Sequence, residues 1–147
     1  MTINWPEGTQ QSGIWRLSQT NHHTGSSRNP GSSWTDHITG TAFTVPSGGQ
    51  ALVWLGGNIL GCYESEGGGG ECRFQLRGAA TYTSAESRGR RGYFDHFSGD
   101  FAHSGAFGVT TAGSYTPYFQ IRTWRGNFIA NHYSSYAQFS VFALHAH

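Results

Sequence analysis

The sequence predicts an all-β protein, a sandwich or jelly roll of about eight to ten strands. Three observations point there. Twenty-two glycines and 15% aromatic residues stand against only 12% charged residues, a mixture that short strands and tight turns require. No stretch sustains apolar residues at i, i+3, i+4 and i+7, and Gly or Pro recurs too often for a long helix to propagate. From residue 41 onward, apolar and polar residues alternate repeatedly with period two, as strands with one buried face do. The 147 residues suit one domain, which at this size buries roughly two-thirds of the unfolded chain's surface without metals or disulfides.

Residues 1–40 are polar and rich in turn formers, and they are expected to form an extended N-terminal arm ahead of a domain spanning 41–147. Trp5, Trp15 and Trp34 punctuate this arm. A disordered tail rarely carries so much aromatic surface, so they read either as anchors onto the domain or a partner, or as rings that complete the core.

A strand at 41–45 closes at the turn Pro46-Ser47-Gly48-Gly49, and a second at 50–56 puts Ala51, Val53 and Leu55 on one face with Leu52 and Trp54 on the other. Apolar on both sides, it is a candidate partner for the C-terminal strand. Residues 58–64 and 71–77 read as a hairpin across Gly67 to Gly70, with Cys72, Phe74 and Leu76 inward and Arg73, Gln75 and Arg77 outward. That pairing sets Cys62 opposite Cys72, as a cross-strand disulfide or as two reduced, buried thiols. Residues 78–100 read as a long exposed loop holding a short strand, and 101–111 resume strand character. The last quarter, 113–147, reads as strand, turn, strand, loop, strand. Its first strand alternates Phe119, Ile121 and Thr123 against Gln120, Arg122 and Trp124. Its last carries Phe142 and Leu144 on a second face, so it is expected to be covered on both sides, under a second layer or at a subunit interface.

A formal net charge of +1 indicates neither nucleic acid nor an acidic membrane face as partner. All nine basic residues are arginines, a residue that pairs carboxylates bidentately and stacks on aromatic rings at protein interfaces. Residues 1–6 have no basic n-region or apolar h-region and the longest apolar run is residues 51–55, so neither a signal peptide nor a membrane span is expected. Two cysteines do not make a secreted disulfide scaffold, and synthesis in a reducing cytosol follows.

Asp95, His96, Asp100 and His103 lack the paired spacing of a zinc site. His22-His23 with Asp36-His37 supply a base and a carboxylate, but no serine or cysteine sits in a nucleophile elbow. Gly67 to Gly70 has no Lys-Ser/Thr behind it and is no phosphate loop. Glu64, Glu66 and Glu71 surround that turn without the arrangement of a glycosidase pair. No enzyme activity, cofactor or metal is therefore expected. Arg88, Arg90 and Arg91 with Tyr93 form a candidate contact loop for an acidic patch on a protein partner.

The order Phe43-Thr-Val-Pro-Ser-Gly-Gly, Val53-Trp54, Cys72-Arg-Phe-Gln-Leu-Arg-Gly, Ala112-Gly-Ser-Tyr-Thr and Phe139-Ser-Val-Phe-Ala-Leu resembles the tumour necrosis factor-like jelly roll of tailed-bacteriophage virion proteins, over roughly residues 40 to 147. The resemblance implies a homotrimer with its last strand in the inner sheet near the threefold axis, and an interface that includes Phe142, Leu144 and Trp124. It also implies a virion protein made in the host cytoplasm: a capsid decoration or cement protein attached to the major capsid protein or another virion protein through Trp5, Trp15 and Trp34. The alternatives are a receptor-binding knob of a tail or head fibre, or a lectin-like module that takes glycan as partner.

Overall fold

The computed structural model describes residues 14–23, 30–45, 47–64, 69–90, 97–125, 128–129 and 135–145, with side chains described for 30–45, 47–57, 69–86 and 103–123. The described residues are all β and contain no helix. Eleven strands run in chain order: β1 (Ile14–His23), β2 (Thr35–Thr39), β3 (Phe43–Val45), β4 (Gly49–Glu64), β5 (Gly69–Gly78), β6 (Tyr82–Thr83), β7 (Ser87–Arg90), β8 (Phe97–Val109), β9 (Gly113–Arg125), β10 (Phe128–Ile129) and β11 (Ser135–His145).

They form two antiparallel sheets. The five-stranded sheet runs β1-β11-β4 with β8 on the far side of β4 and β10 at its end, while the six-stranded sheet runs β2 and β3, then β9, β5, and β6 with β7. Among the longer strands, β4 and β5, β5 and β8, β8 and β9, and β9 and β11 each fall in opposite sheets. The chain therefore crosses the sandwich repeatedly instead of folding into local hairpins, and the buried faces of both sheets share one core.

That core is where the period-two reading is realised. Ala51, Val53 and Leu55 of β4 are buried with Phe107 and Val109 of β8, facing Cys72, Phe74 and Leu76 of β5 and Tyr115, Phe119 and Ile121 of β9. Phe74 stacks on Phe119 at 4.8 Å between ring centroids. Both rings press on Gly57 of β4, where an added Cβ would lie 3.0 Å from Phe74 and 3.2 Å from Phe119. At the far end of the β5–β9 ladder, a Cβ on Gly78 would sit 1.8 Å from the Ser114 carbonyl oxygen, so the backbones meet where only glycine fits. In β2 a register shift between Asp36 and Ile38 lets His37 and Ile38 turn inward together, as a bulge permits.

Two expectations are corrected. Strands β4 and β5 are not a hairpin: β4 pairs β11, β8 and β10, and β5 pairs β9, β6 and β7. Alternation marks which face of a strand is buried, but the two buried faces meet across the core here and not side by side. Cys62 is paired with Gly99 and Cys72 with Ile121 and Ser87, so the cross-strand disulfide position does not arise. Cys72 is buried in the core, while the Cys62 side chain lies outside the described ones.

Within the expected N-terminal arm of residues 1–40, the described strands at 14–23 and 35–39 are part of the sheets. Strand β1 pairs along its whole length with β11, from Ile14 opposite Leu144 to His23 opposite Ser135, and β2 pairs with β9. A polar strand joins a sheet through its backbone groups, which leave no mark in composition. Within 78–100, the expected loop is partly built as β6, β7 and the start of β8.

The packing at Gly57 has a measurable consequence. Gly57→Val drives a branched side chain into the Phe74–Phe119 pair and is expected to cost about 1–3 kcal/mol in urea unfolding. Thr81→Ala, at an exposed position ahead of β6, serves as the control and is expected to stay within about 0.5 kcal/mol. Equal costs at the two positions would contradict the described core.

Candidate interaction faces

Each sheet turns one face to the core and one outward, and the two outer faces differ in chemistry. On the five-stranded sheet, β4 alternates as its sequence indicates: Ala51, Val53 and Leu55 are buried, and Leu52 and Trp54 are 47% and 41% exposed. The expected pairing of this segment with the C-terminal strand is present, with Leu52 opposite Phe142 and Gln50 opposite Leu144. Directly paired positions share a face of a sheet, so positions 142 and 144 extend the outer side that bears Leu52 and Trp54.

The outer face of the six-stranded sheet is a charged layer. Arg77 grips Asp36 with two bonds, Nη1 to Oδ2 at 2.9 Å and Nη2 to Oδ1 at 2.8 Å, and also donates to the Gln75 side chain. Gln120, itself buried, donates to Asp36 Oδ1 at 2.7 Å and accepts from Arg73 Nε at 2.8 Å. Arg122 donates to the buried Glu71 carboxylate and reaches Glu86 at 3.4 Å. Trp34 lies under two of these cations, with the guanidinium carbons of Arg73 and Arg122 at 4.2 and 4.5 Å from its ring centroid, and Arg77 lies over Tyr118 at 4.3 Å. Burial holds the Arg73 guanidinium below the usual arginine value. The layer is cross-linked within the protein itself: bidentate pairs fix geometry, and cation–π contacts hold the rings flat.

The predicted site residues are therefore dispersed. Trp34 is an anchor onto the protein's own sheet, fixed further by the Thr123 N–H bond to the Gly31 carbonyl at 2.6 Å. Trp15 lies on β1, paired with Ala143 of β11, and its side chain lies outside the described ones. Phe142 and Leu144 belong to the five-stranded sheet, whereas Trp124 belongs to β9 in the other, and the three do not share one face. Arg88 and Arg90 lie on β7, paired to β5. Trp5, Arg91 and Tyr93 lie outside the described residues. Asp36, considered beside His22 and His23, is held by Arg77 and Gln120 instead. Among the described residues no group of three or more His, Cys, Asp or Glu is placed to hold a metal ion.

A contact that alternation does not reveal closes one edge of the sandwich. His103 of β8 stacks on Phe74 of the opposite sheet, with ring centroids 5.8 Å apart and an interplanar angle of 14°. Its Nε2 lies 3.1 Å from Ser84 Oγ. Ser84 Oγ accepts the Phe74 N–H at 2.9 Å and donates to the Ala85 carbonyl at 2.7 Å. With the hydroxyl proton committed to a carbonyl, the imidazole is the donor to Ser84, which makes the pair a clasp and not an activated nucleophile. The Ser and His are 19 residues apart, and only the return of β8 beside the β6–β7 connection brings them together.

Burial lowers the His103 pKa from its ordinary 6.5, with a backbone bond to Ala85 working the other way. The folded state therefore binds this proton less readily than the unfolded one, and stability is fully present above about pH 6.5 and declines as pH falls toward the lowered folded value. Unfolding midpoints measured from pH 7.5 to 5 are expected to fall, and His103→Gln to fall less steeply. Parallel profiles for the two proteins would contradict the part-buried clasp.

No protein-family model and no curated protein matches the chain. Among solved structures, one of infectious bursal disease virus Gt strain matches over 90% of this chain and 37% of its own, with a TM-score of 0.38 and 9% identity. One of infectious bursal disease virus Gx strain matches over the same shares with a TM-score of 0.39 and 9% identity. This chain spans little more than a third of the length of those chains, and a likeness so distant does not bear on fold or function.

Proposed function

We propose that the protein is a virion structural component, a homotrimeric jelly roll that decorates or cements a phage head. The observation that carries self-association is the outer face of the five-stranded sheet, where Leu52 and Trp54 stand exposed on a central strand. Large apolar groups on a central strand are the usual mark of a surface that another protein covers. The jelly-roll reading is supported by the strand order, β1-β11-β4-β8 against β2/β3-β9-β5-β6/β7, with the chain crossing between sheets as successive Greek keys do. The virion role rests on the resemblance of the turn and strand pattern from Phe43 to Leu144 to phage virion jelly rolls. No catalytic step is assigned.

Attachment to the capsid falls in this proposal to the segment around Trp5, because Trp15 and Trp34 are placed along the protein's own sheets. A few large rings buried against a partner supply most of the energy of such a contact. Removing residues 1–12 is expected to leave the sandwich intact while abolishing incorporation into particles. In assembled virions the full chain is expected at a copy number matching threefold or quasi-threefold capsid positions, measured by quantitative mass spectrometry. A handful of copies per particle would shift the assignment to a fibre knob, and absence from particles would overturn the virion role.

A further inference from the structure

Arg73 and Arg77 stand on the same face of β5 and meet different surroundings. Arg77 commits Nη1 and Nη2 to Asp36 and Nε to Gln75. Arg73 commits Nε to Gln120 Oε1 at 2.8 Å, and among the described residues no acceptor meets its Nη1 or Nη2. Its fork is nevertheless held in place. Gln120 is 2% exposed and is fixed in turn by its bond to Asp36, and the Arg73 guanidinium carbon lies 4.2 Å from the Trp34 ring centroid. Burial is the largest influence on this guanidinium and works against its charge. Arg122, at 4.5 Å from the same ring centroid, spends Nε on Glu71 and reaches Glu86 through Nη2 at 3.4 Å, longer than a charge-assisted bond usually is.

We infer that Arg73, with Arg122 and Trp34 beside it, is a docking site for an acidic side chain, Asp or Glu, in an exposed segment of a partner protein. The Arg77–Asp36 pair shows on the same face how such a carboxylate is taken, by two bonds from one guanidinium, and Arg73 offers the same two donors. A carboxylate bound there gains charge-assisted bonds and offsets the burial of the cation. A fork already braced by Gln120 and Trp34 loses little freedom on binding. Composition selects a protein as the occupant. Arg and Trp, with Tyr118 against Arg77, are the residue types that dominate protein contacts, whereas a net charge of +1 supplies no broad field for a polyanion. Among carboxylates, exposed Glu86 acts most strongly on Arg73, and it competes with the partner for the same cations. This contact is independent of the virion role and of self-association.

The test titrates the isotope-labelled full chain with capped tetra-aspartate, and with capped tetra-asparagine at equal ionic strength. Binding is read from the arginine Nε–H and tryptophan Nε1–H signals by NMR, and fold by circular dichroism. Tetra-aspartate in the millimolar range is expected to shift Arg73, Arg122 and Trp34 saturably, and tetra-asparagine to leave them unmoved. Arg73→Gln is expected to weaken binding at least about tenfold. Arg73→Lys keeps the charge without the planar fork and is expected to weaken it nearly as much. Glu86→Gln removes the competing carboxylate at an exposed position and is expected to strengthen binding, a gain that loss of structure cannot mimic. No saturable shift at Arg73, full affinity in Arg73→Lys, or Glu86→Gln binding no tighter than the parent overturns the docking site. Tighter binding of inorganic phosphate or of glucuronate than of tetra-aspartate overturns the acidic protein segment in favour of that anion. Shifts at Arg73 on raising the protein concentration alone overturn it in favour of a second copy.

Discussion

Phe74 ties the two sheets together. Its ring stacks on Phe119 in its own sheet, sits beneath Gly57 of the opposite one, and receives His103 of β8 on another side. Its backbone N–H and C=O both engage Ser84, so the same residue holds the connection that follows β6. Burying a phenylalanine contributes about 1.5–3 kcal/mol, but its position matters more than that sum. The close approach at Gly57 sets how near the sheets lie at mid-sandwich, and residues on either side pack to that spacing.

With the core fixed in this way, the two outer faces are free to differ. The six-stranded sheet spends its outward positions on Arg–carboxylate pairs and on cations over Trp34 and Tyr118. Exposed ion pairs such as Arg77–Asp36 contribute little singly, roughly 0–1 kcal/mol. Their arrangement through Gln120 and Arg73 instead fixes β2 against β9 and β5, which keeps the segment carrying Trp34 in register. On the five-stranded sheet the described outward side chains of β4 and β8 include Gln50, Leu52, Trp54, Ser104 and Ala106, with no ion pair between them. A protein whose two outer faces differ in this way is directional, and an assembly built from it would have a defined inside and outside.

Much of this was legible in the sequence wherever a strand buries one face. The alternation at 50–56 placed Leu52 and Trp54 on the side opposite Ala51, Val53 and Leu55, and the alternation at 71–77 placed Cys72, Phe74 and Leu76 inward, as observed. The link between the 50–56 segment and the last strand was legible too, because both are apolar on two sides and such strands seek central positions. The signal failed at β1, whose run of Ser, Gln, Asn and His residues gives no alternation although the strand pairs along its length with β11. It failed again between β4 and β5, where a glycine run resembling a hairpin tip joins strands of different sheets. The charged layer was visible only as arginines facing outward, since its acidic partners come from β2, β5 and the residues after β6.

The sequence by itself determined the all-β class, the buried face of most long strands and the scarcity of charge, because these depend on local alternation and on composition. Only the tertiary structure decided which strands pair, that Trp34 lies beneath Arg73 and Arg122, and that Ser84 meets His103. Those outcomes depend on contacts between residues far apart in the chain, such as the 84 positions separating Asp36 from Gln120. A period of two specifies the side toward which a residue points. It carries no information about the neighbour it finds there, which is set by the crossing of the chain from one sheet to the other.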